Sequence, residues 1–169
     1  IDSFLSPLRN GRDDEWGGPV EGRARLLVEV LRAVRARVGD RLAVWVRLNG
    51  EERHVEGGET IDDALIVARL AVDAGADAVH VSAYADPGVA SGVTDAHTPH
   101  APGRNLPMAA EVKRAIDVPV IAVGRLEPDA ADRAIADGQA DLVAMGRALL
   151  ADPDLPAKLA AGRVDDVRP

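Results

Sequence analysis

The 169-residue sequence contains no cysteine, which excludes a disulfide framework, a thiolate nucleophile and a cysteine-ligated metal. Aromatic residues make up only 2% of the chain, so its core must be built from Ala, Val, Leu and Ile. No apolar run approaches the length of a transmembrane helix, and no signal-peptide pattern opens the chain. We therefore expect no membrane partner, and the composition fits a cytoplasmic enzyme with one domain.

An excess of positive charge is also missing, because the formal net charge is -8 at pH 7. This balance argues against nucleic acid or an anionic membrane surface as a general partner. Positive charge can still be concentrated locally, since Arg47, Arg125 and Arg147 stand near the ends of apolar runs. Local anion binding therefore remains open despite the acidic total.

Apolar runs alternate with segments of helical periodicity along most of the chain. Strands are predicted at 42–48, which we expect to be buried, and at 78–82, 118–123 and 142–145, and helices at 20–38, 60–75 (with a Thr60/Asp63 capping box), 106–116 and 128–137. Such alternation predicts an α/β fold with a parallel sheet and right-handed crossovers. The predicted βα units are about the last four of a (β/α)8 TIM barrel, and a half-barrel alone exposes two strand edges. We therefore expect either a missing N-terminal half-barrel or association of two copies as a homo-oligomer.

A weak internal repeat supports this register. Asp73-Ala74-Gly75-Ala76-Asp77-Ala78-Val79 resembles Asp137-Gly138-Gln139-Ala140-Asp141-Leu142-Val143. Each copy is predicted to be a helix end, a glycine turn, Ala-Asp, and then a strand.

Three stretches lack clear periodicity. Residues 1–18 are predicted to be an irregular N-terminal segment, and residues 83–105 a long loop on the active face of the barrel. After Arg147 we expect a helical tail that Asp152-Pro153 and Leu155-Pro156 break into short pieces.

Two of the apolar runs end in Gly-Arg, as Val123-Gly124-Arg125 and Met145-Gly146-Arg147. A glycine at the carboxyl end of a strand lets an anion approach the backbone closely, because no Cβ stands in the way. The free N–H groups at the start of the next helix then face that anion. Because the usual phosphate site of a TIM barrel follows its last two strands, these turns predict a phosphate cradle. The alternative is a pair of structural turns with surface arginines.

The order and spacing of several motifs resemble the old yellow enzyme family of NADH:flavin oxidoreductases, over nearly the whole chain apart from residues 83–105. The closest resemblance is to the branch of 2,4-dienoyl-CoA reductases and trimethylamine dehydrogenase. The motifs are Phe4-Leu5-Ser6-Pro7-Leu8-Arg9-Asn10, Asp14-Glu15-Trp16-Gly17-Gly18, Glu21-Gly22-Arg23-Ala24-Arg25, Val46-Arg47-Leu48, Val123-Gly124-Arg125, Met145-Gly146-Arg147-Ala148-Leu149-Leu150-Ala151-Asp152-Pro153, and an ending with Lys158, Gly162-Arg163, Asp165-Asp166 and Val167-Arg168-Pro169.

The resemblance implies that residues 1–169 form the C-terminal half of an FMN-binding TIM-barrel domain. It implies an ene-reductase type of activity, in which NADH or NADPH reduces FMN and hydride passes from flavin N5 to the activated C=C bond of a small enone or enoyl substrate. The resemblance and the positions of the predicted strand ends together indicate a set of cofactor-binding residues. They are Arg47, Ser82, Val123, Gly124, Arg125, Met145, Gly146 and Arg147.

Arg47 and Ser82 each have an alternative role. The resemblance places Arg47 at the N1–C2=O edge of the flavin, where it would stabilise negative charge on the reduced cofactor. Arg47 also stands late in an otherwise apolar strand, where a bare charge is costly, so an ion pair inside the barrel mouth is the alternative. Ser82 either lines the same mouth or caps a turn at the end of its strand.

The chain departs from the family pattern in three places. The family's substrate-binding His-Asn or His-His pair and its Tyr proton donor lie upstream of the Phe-Leu-Ser-Pro motif, so we expect the catalytic donors upstream of Ile1 and name no catalytic residue. The iron–sulfur cysteines of the larger branch have no counterpart here. Gly22 stands where the family usually has Asn, which weakens one local contact.

The histidines and the acidic run are expected to have ordinary roles. We expect His80 to be a satisfied packing residue, and His97 and His100 to be solvated in the long loop, although both lie on the barrel face that binds substrate. No metal site is predicted, because the histidine spacing suits none. Asp13, Asp14 and Glu15 are expected to be solvated or to cap a helix.

Two other functions remain open at this point. A lyase or isomerase acting on a phosphorylated metabolite would share the two Gly-Arg turns, but it has no reason to carry the Asp-Glu-Trp-Gly-Gly motif. A non-catalytic half-barrel that only binds or assembles is the other alternative, and it is favoured if residues 1–169 are the entire gene product.

Overall fold

The structure, a computed structural model, describes residues 1–53, 55–85 and 102–168. The strands are β1 Trp45–Arg53, β2 Ala78–Ala85, β3 Val120–Val123 and β4 Leu142–Ala144. The helices are α1 Asp2–Leu5, α2 Val20–Val38, α3 Ile61–Asp73, α4 Leu106–Ala115, α5 Pro128–Ala136, α6 Arg147–Ala151 and α7 Leu155–Ala160, with 3₁₀ turns at Gly39–Arg41 and Val164–Asp166.

The four described strands form one parallel sheet in the order β1-β2-β3-β4. Because each strand pairs with the next strand along the chain, every connection is a crossover of the βαβ type. The predicted α/β alternation is therefore confirmed. The predicted helix at 20–38 has the same bounds in the structure, and the predicted capping box of α3 is present, since Thr60 and Asp63 each accept the backbone N–H of the other.

The prediction for β1 was wrong in position and in burial. The strand begins three residues later than predicted and continues through a polar stretch to Arg53, with a bulge between Asn49 and Glu52. Pairing with Tyr84 and Ala85 of β2 supports this extension, which also makes β2 longer than predicted. Side chains of β1 alternate in exposure rather than being buried on both faces, and Trp45 is 63% exposed.

The hydrophobic core lies between one face of the sheet and the helices. Leu48, Val79, Val81, Val120 and Ala122 are buried there against α2, α3 and α4. Gly50 allows α4 to approach closely, because a Cβ at this position would lie 2.7 Å from the Met108 sulfur. By strand alternation, the opposite face carries another set of side chains. We call this the open face, made of Trp45, Arg47, Asn49, Ala78, His80, Ser82, Ile121, Val123, Leu142 and Ala144.

The internal repeat corresponds to a repeated contact at the amino ends of the strands. Asp77 accepts the backbone N–H of Val44 at 2.7 Å and pairs with Arg35 of α2. Asp141 accepts the backbone N–H of Val120 at 2.9 Å and pairs with Lys113 of α4. These bonds hold the pKa of each carboxyl below its ordinary value, mainly through the Val44 N–H for Asp77 and through Lys113 for Asp141. Each aspartate therefore ties its own strand to the previous strand of the sheet and to the helix that leads into that previous strand.

The N-terminal segment is more ordered than predicted, because residues 2–5 form the single turn α1. Arg23 of α2, only 8% exposed, donates to the carbonyl oxygens of Leu5 at 2.7 Å and Gly18 at 2.9 Å, and pairs with Asp63 at 3.2 Å. Asn10 donates to two further backbone carbonyls of the segment at 2.7 Å each. A short apolar segment is thus fixed mainly by polar side chains.

Two other features of the N-terminal segment and the start of α2 bear on the predictions. Gly22 packs so closely that a Cβ would lie 2.2 Å from the Gly17 oxygen. Asp13, Asp14 and Glu15 are exposed as predicted; Asp14 pairs with Arg12, and Glu15 with Arg25 at 3.4 Å.

The C-terminal tail consists of short helices joined around Asp152. Its buried carboxylate accepts from Lys158 at 2.7 Å and from the backbone N–H of Arg168 at 3.0 Å, and these bonds hold the pKa of Asp152 below its ordinary value, with Lys158 the largest cause. The break predicted at Asp152-Pro153 is confirmed. The break predicted at Leu155-Pro156 was wrong, because Pro156 lies in the first turn of α7, where proline is tolerated.

Candidate functional site

The two Gly-Arg turns meet at the carboxyl ends of β3 and β4. Between them lies a cavity of about 360 Å³. It is lined by Val123, Gly124, Arg125, Leu126, Glu127, Ala144, Met145, Gly146, Arg147 and Ala148. Six of the eight predicted cofactor-binding residues are therefore neighbours in space, although 21 residues of sequence separate the two arginines of the cavity, Arg125 and Arg147, from each other.

Gly124 is required by the fold itself. Its φ is +133°, a conformation that other residues rarely adopt, and a Cβ would lie 2.8 Å from the side-chain nitrogen of Asn105. The next residue, Arg125, also has a positive φ of 49° and is exposed. Left-handed backbone at a non-glycine residue is strained and concentrates at functional sites. This turn therefore has both a structural demand for glycine and a strained arginine beside the cavity.

Gly146 differs from Gly124 in its backbone conformation and in its packing. Its φ is −90°, which any residue can adopt, and a Cβ would meet nothing within 4 Å among the described residues. The fold therefore gives no reason for glycine at this position. The cavity that Gly146 lines does give one, because a ligand that touches the backbone needs the space that a Cβ would fill.

Charge and hydrogen-bond donors make the cavity suitable for an anion. The guanidinium groups of Arg125 and Arg147 suit the geometry of phosphate, which they can bind through paired N–H donors. Arg147 is the first residue of α6, a helix of 5 residues, so the helix dipole contributes little and the arginines must carry the charge. A phosphate group fits both the volume and the chemistry of the lining.

Arg47 and Ser82 lie on the open face, in the neighbouring part of the sheet. The Arg47 guanidinium donates to the Ser82 hydroxyl oxygen at 2.8 Å. No carboxylate pairs with Arg47 among the described residues, so the alternative of an ion pair finds no partner there. Ser82 is followed by three more residues of β2, so it does not cap a turn at the strand end.

His80 pairs with Arg47 across the sheet and is not the satisfied packing residue that we predicted. Its Nε2 is buried and has no hydrogen-bond partner among the described residues. Burial lowers the pKa of His80 below its ordinary value, and the nearby positive charge of Arg47 lowers it further. A neutral imidazole therefore lies beside a guanidinium that has no counter-charge in the described structure.

Other predicted features can be placed only in part. His97, His100 and most of the 83–105 loop lie outside the described residues, whereas 83–85 belong to β2. In the described part of the chain, no group of three or more His, Asp or Glu side chains is arranged to hold a metal ion. None of the helices in the same part is long and apolar enough to cross a membrane.

Sequence reasoning missed a group of buried carboxylates near the N-terminal segment. Glu52 accepts from the Ser6 hydroxyl at 2.8 Å and from the Glu59 backbone N–H at 3.0 Å. Glu59 is only 5% exposed, and burial raises its pKa to about 7, because Asn49 is the only side chain described as donating to it, at 3.4 Å. The glycines at 57 and 58 were a signal, since they indicate a tight return of the chain onto β1.

Together, the fold and the cavity define a class of protein: part of a TIM barrel with a cavity after two consecutive strands whose lining suits a phosphate group. Residues 1–166 match the NADH:flavin oxidoreductase / NADH oxidase family. The chain belongs to this family, which confirms the resemblance seen in the sequence.

Individual relatives agree with the family match. The chain is 36% identical over 171 residues to an NADH oxidase from Thermoanaerobacter brockii, covering 99% of this chain and 26% of the relative. A structure of 2-naphthoyl-CoA reductase with 2-naphthoyl-CoA is similar with a TM-score of 0.85 and 34% identity, over 98% of this chain and 25% of that one. An old yellow enzyme homologue from Zymomonas mobilis has a TM-score of 0.72 and 25% identity, over 95% and 43% of the two chains.

The coverage confirms that the fold is part of a TIM barrel of the old yellow enzyme type. The chain spans about a quarter of the length of the first curated relatives that it matches. What those longer proteins do as wholes is therefore carried over only as a proposal.

Proposed function

We propose that the cavity between the two Gly-Arg turns binds the phosphate of FMN. Gly146 is the observation that carries this proposal, because neither its backbone conformation nor its packing demands glycine, and the cavity that it lines does. Arg125 and Arg147 supply the charge, and Val123 and Met145 form the adjoining wall. Backbone N–H groups of the two turns complete the set of donors.

Arg47 suits the electron-rich edge of a flavin. It lies on the open face with no carboxylate partner in the described residues, so its charge is available to a ligand rather than neutralised by the protein. Bound FMN would supply hydride transfer through N5, from NADH or NADPH to the activated C=C bond of a small enone or enoyl substrate. The chain's own contribution is to hold the phosphate, orient the ring system and favour its negative charge.

The ene-reductase assignment is supported by two of the similar structures, an old yellow enzyme homologue and a 2-naphthoyl-CoA reductase. The donors that bind and protonate the substrate are proposed to lie outside residues 1–169, in a preceding half-barrel or in another polypeptide that closes the open face. The proposed site of action is the cytoplasm. A phosphate-binding lyase or isomerase would share the cavity, but the family match over residues 1–166 does not support it.

A titration of FMN with the purified chain tests the proposal, with quenching of flavin fluorescence as the signal. We expect saturable binding, and binding of riboflavin at least about tenfold weaker because riboflavin lacks the phosphate. Arg147→Ala should weaken FMN binding about tenfold or more, and should leave the weak riboflavin binding unchanged.

Glycine variants give a matched control. Gly146→Ala should weaken FMN binding about tenfold while leaving stability unchanged, since only the ligand would meet the new methyl group. Gly11→Ala should change neither, because a Cβ at Gly11 also meets nothing within 4 Å and Gly11 is far from the cavity in sequence. A folded chain that binds FMN and riboflavin equally, or that binds neither, would contradict the proposed phosphate site.

A further inference from the structure

Among the described residues, the open face of the sheet carries a positive charge with no carboxylate paired to it. Among its ten residues, only Arg47 and His80 have ionisable side chains, and the others are apolar apart from Asn49 and Ser82. Arg47 and His80 are partners in the pairing of β1 with β2. No carboxylate of the described residues pairs with either of them. The position of the guanidinium is therefore not set by an ion pair.

The hydroxyl of Ser82 is the one side-chain group described as bonded to Arg47, at 2.8 Å from Nη2. Ser82 is only 3% exposed and belongs to the middle of β2, with three strand residues after it. Its hydroxyl is therefore fixed by the sheet, whereas Arg47 is an exposed residue with a long flexible side chain. A fixed neutral acceptor restricts the guanidinium without cancelling its charge.

An ion pair would act differently. A carboxylate in place of Ser82 would restrict Arg47 equally well, but it would also neutralise the charge that a ligand is to meet. His80 adds no second positive charge, because its lowered pKa favours the neutral imidazole beside Arg47. The described arrangement therefore preserves one full positive charge at a defined place on the open face.

We infer that Ser82 is a positioning residue, which holds the guanidinium of Arg47 on the open face so that its charge favours the reduced, negatively charged form of a bound flavin. This inference rests on the proposed function for the identity of the ligand. The positioning of Arg47 by Ser82 can also be tested in the chain without any flavin.

The first measurement is the pKa of His80 in the flavin-free chain, from the pH dependence of its imidazole NMR signal, assigned with His80→Gln. Arg47→Gln should raise this pKa, because it removes the nearby positive charge. Ser82→Ala should also raise the pKa of His80, because the released guanidinium moves into solvent and away from the imidazole. Ser82→Thr, which keeps the hydroxyl, should restore the parent value, and Ser3→Ala, at an exposed serine elsewhere, should not change it.

The double variant Ser82→Ala with Arg47→Gln separates positioning from a local effect on the histidine. If Ser82 acts through Arg47, the second substitution adds nothing to the pKa change made by Arg47→Gln alone. Ser82→Cys, which keeps the volume and loses most of the hydrogen bond, takes the place of Ser82→Ala if the alanine variant does not fold. An unchanged pKa of His80 in Ser82→Ala or Ser82→Cys, beside a raised one in Arg47→Gln, overturns the inference.

The second measurement is the midpoint potential of bound FMN together with its dissociation constant. We expect Ser82→Ala to make the potential more negative and to weaken FMN binding by about threefold to tenfold, the range of one hydrogen bond. Ser82→Thr should restore both values, and Ser82→Ala should change neither in the Arg47→Gln background. A potential that is the same in Ser82→Ala and the parent overturns the role toward flavin. Failure of the parent chain to bind FMN contradicts the proposed function instead, while the His80 measurement still decides whether Ser82 positions Arg47.

Discussion

Two regions at the carboxyl edge of the sheet differ in the burial of their charged residues. Around the end of β1, charged side chains are buried and hydrogen-bonded to backbone or to polar side chains, as Arg23, Glu52 and Glu59 show. Around the ends of β3 and β4, the charged side chains Arg125 and Arg147 are exposed and line a cavity. The difference indicates that the first region holds the chain together and that the second is shaped for a ligand.

Glycine shows the same contrast at a finer scale. Gly124 and Gly146 occupy equivalent places in two similar motifs, yet only Gly124 has a backbone and a packing environment that exclude other residues. Similar sequence therefore does not mean the same physical constraint. Substitutions that separate stability from ligand binding test this comparison.

The largest expected effect is on the N-terminal segment. Arg23→Ala should lower the free energy of unfolding by about 3 kcal/mol, because it leaves the carbonyl oxygen of Leu5 and the carboxylate of Asp63 without a buried donor. Urea denaturation followed by circular dichroism measures this.

Arg25→Ala, two residues along the same helix, is the control. Arg25 is exposed, pairs with Glu15 at 3.4 Å and lies 5.6 Å from the Trp16 ring centre, so its loss should cost less than about 1 kcal/mol. Equal losses of unfolding free energy in the two variants would contradict the structural role of Arg23.

The next effect distinguishes the two turns. Gly124→Ala should destabilise the chain by about 2 kcal/mol, because alanine is strained at this φ and its Cβ would collide with Asn105. Gly146→Ala should change stability by no more than about 0.5 kcal/mol. Thermal and urea denaturation of both variants give the comparison. If Gly146→Ala were as destabilising as Gly124→Ala, the ligand-based reason for Gly146 would be lost.

The third effect concerns Glu59; it is no larger than that of Gly124→Ala, and it disappears at low pH. The groups that face Glu59 are Asn49 and Glu52 from β1, Asp2 from α1 and Asp63 from α3, and burial raises its pKa from 4.5 to about 7. Below the lower value, Glu59 is protonated in both the folded and the unfolded chain. Between the two values only the folded chain holds the proton, so the free energy of unfolding falls as pH rises, and above about 7 the loss is constant.

Glu59→Gln should therefore stabilise the chain by about 2 kcal/mol at about pH 8 and leave its stability unchanged at about pH 4. Urea denaturation of parent and variant across this range measures the difference. Glu56→Gln, at an exposed glutamate of the same loop, should show no such dependence. A difference between Glu59→Gln and the parent that does not vary with pH would mean that Glu59 has the same pKa in the folded and the unfolded chain.

Local signals were enough to place most of the elements. The bounds of α2 follow from apolar spacing and a glycine at the end, and α3 begins at a capping box that both partners form. β1 was misplaced because its second half, Asn49–Arg53, has no apolar signature in the sequence. Those polar residues are held in a strand by pairing with β2 and by contacts with the N-terminal segment, which are distant in sequence.

The candidate site was predictable to a similar extent. The two Gly-Arg turns were visible as motifs, and the expectation that they meet follows from the parallel sheet, because consecutive parallel strands end at the same edge. The bond from Arg47 to Ser82 was not visible, nor was the His80 Nε2 that lacks a hydrogen-bond partner among the described residues. They depend on the register between β1 and β2, and a shift of one residue would turn these side chains to the other face.

The sequence by itself therefore determined the α/β alternation, the order of the strands and the family, because these depend on periodicity and on the spacing of motifs within short windows. The tertiary structure decided which glycine is structural and which is open to a ligand, and which charged groups are buried with partners. Both depend on backbone torsion angles and on contacts between residues tens of positions apart. Composition and local pattern do not record those contacts, because a side chain's free energy depends on what the fold places beside it.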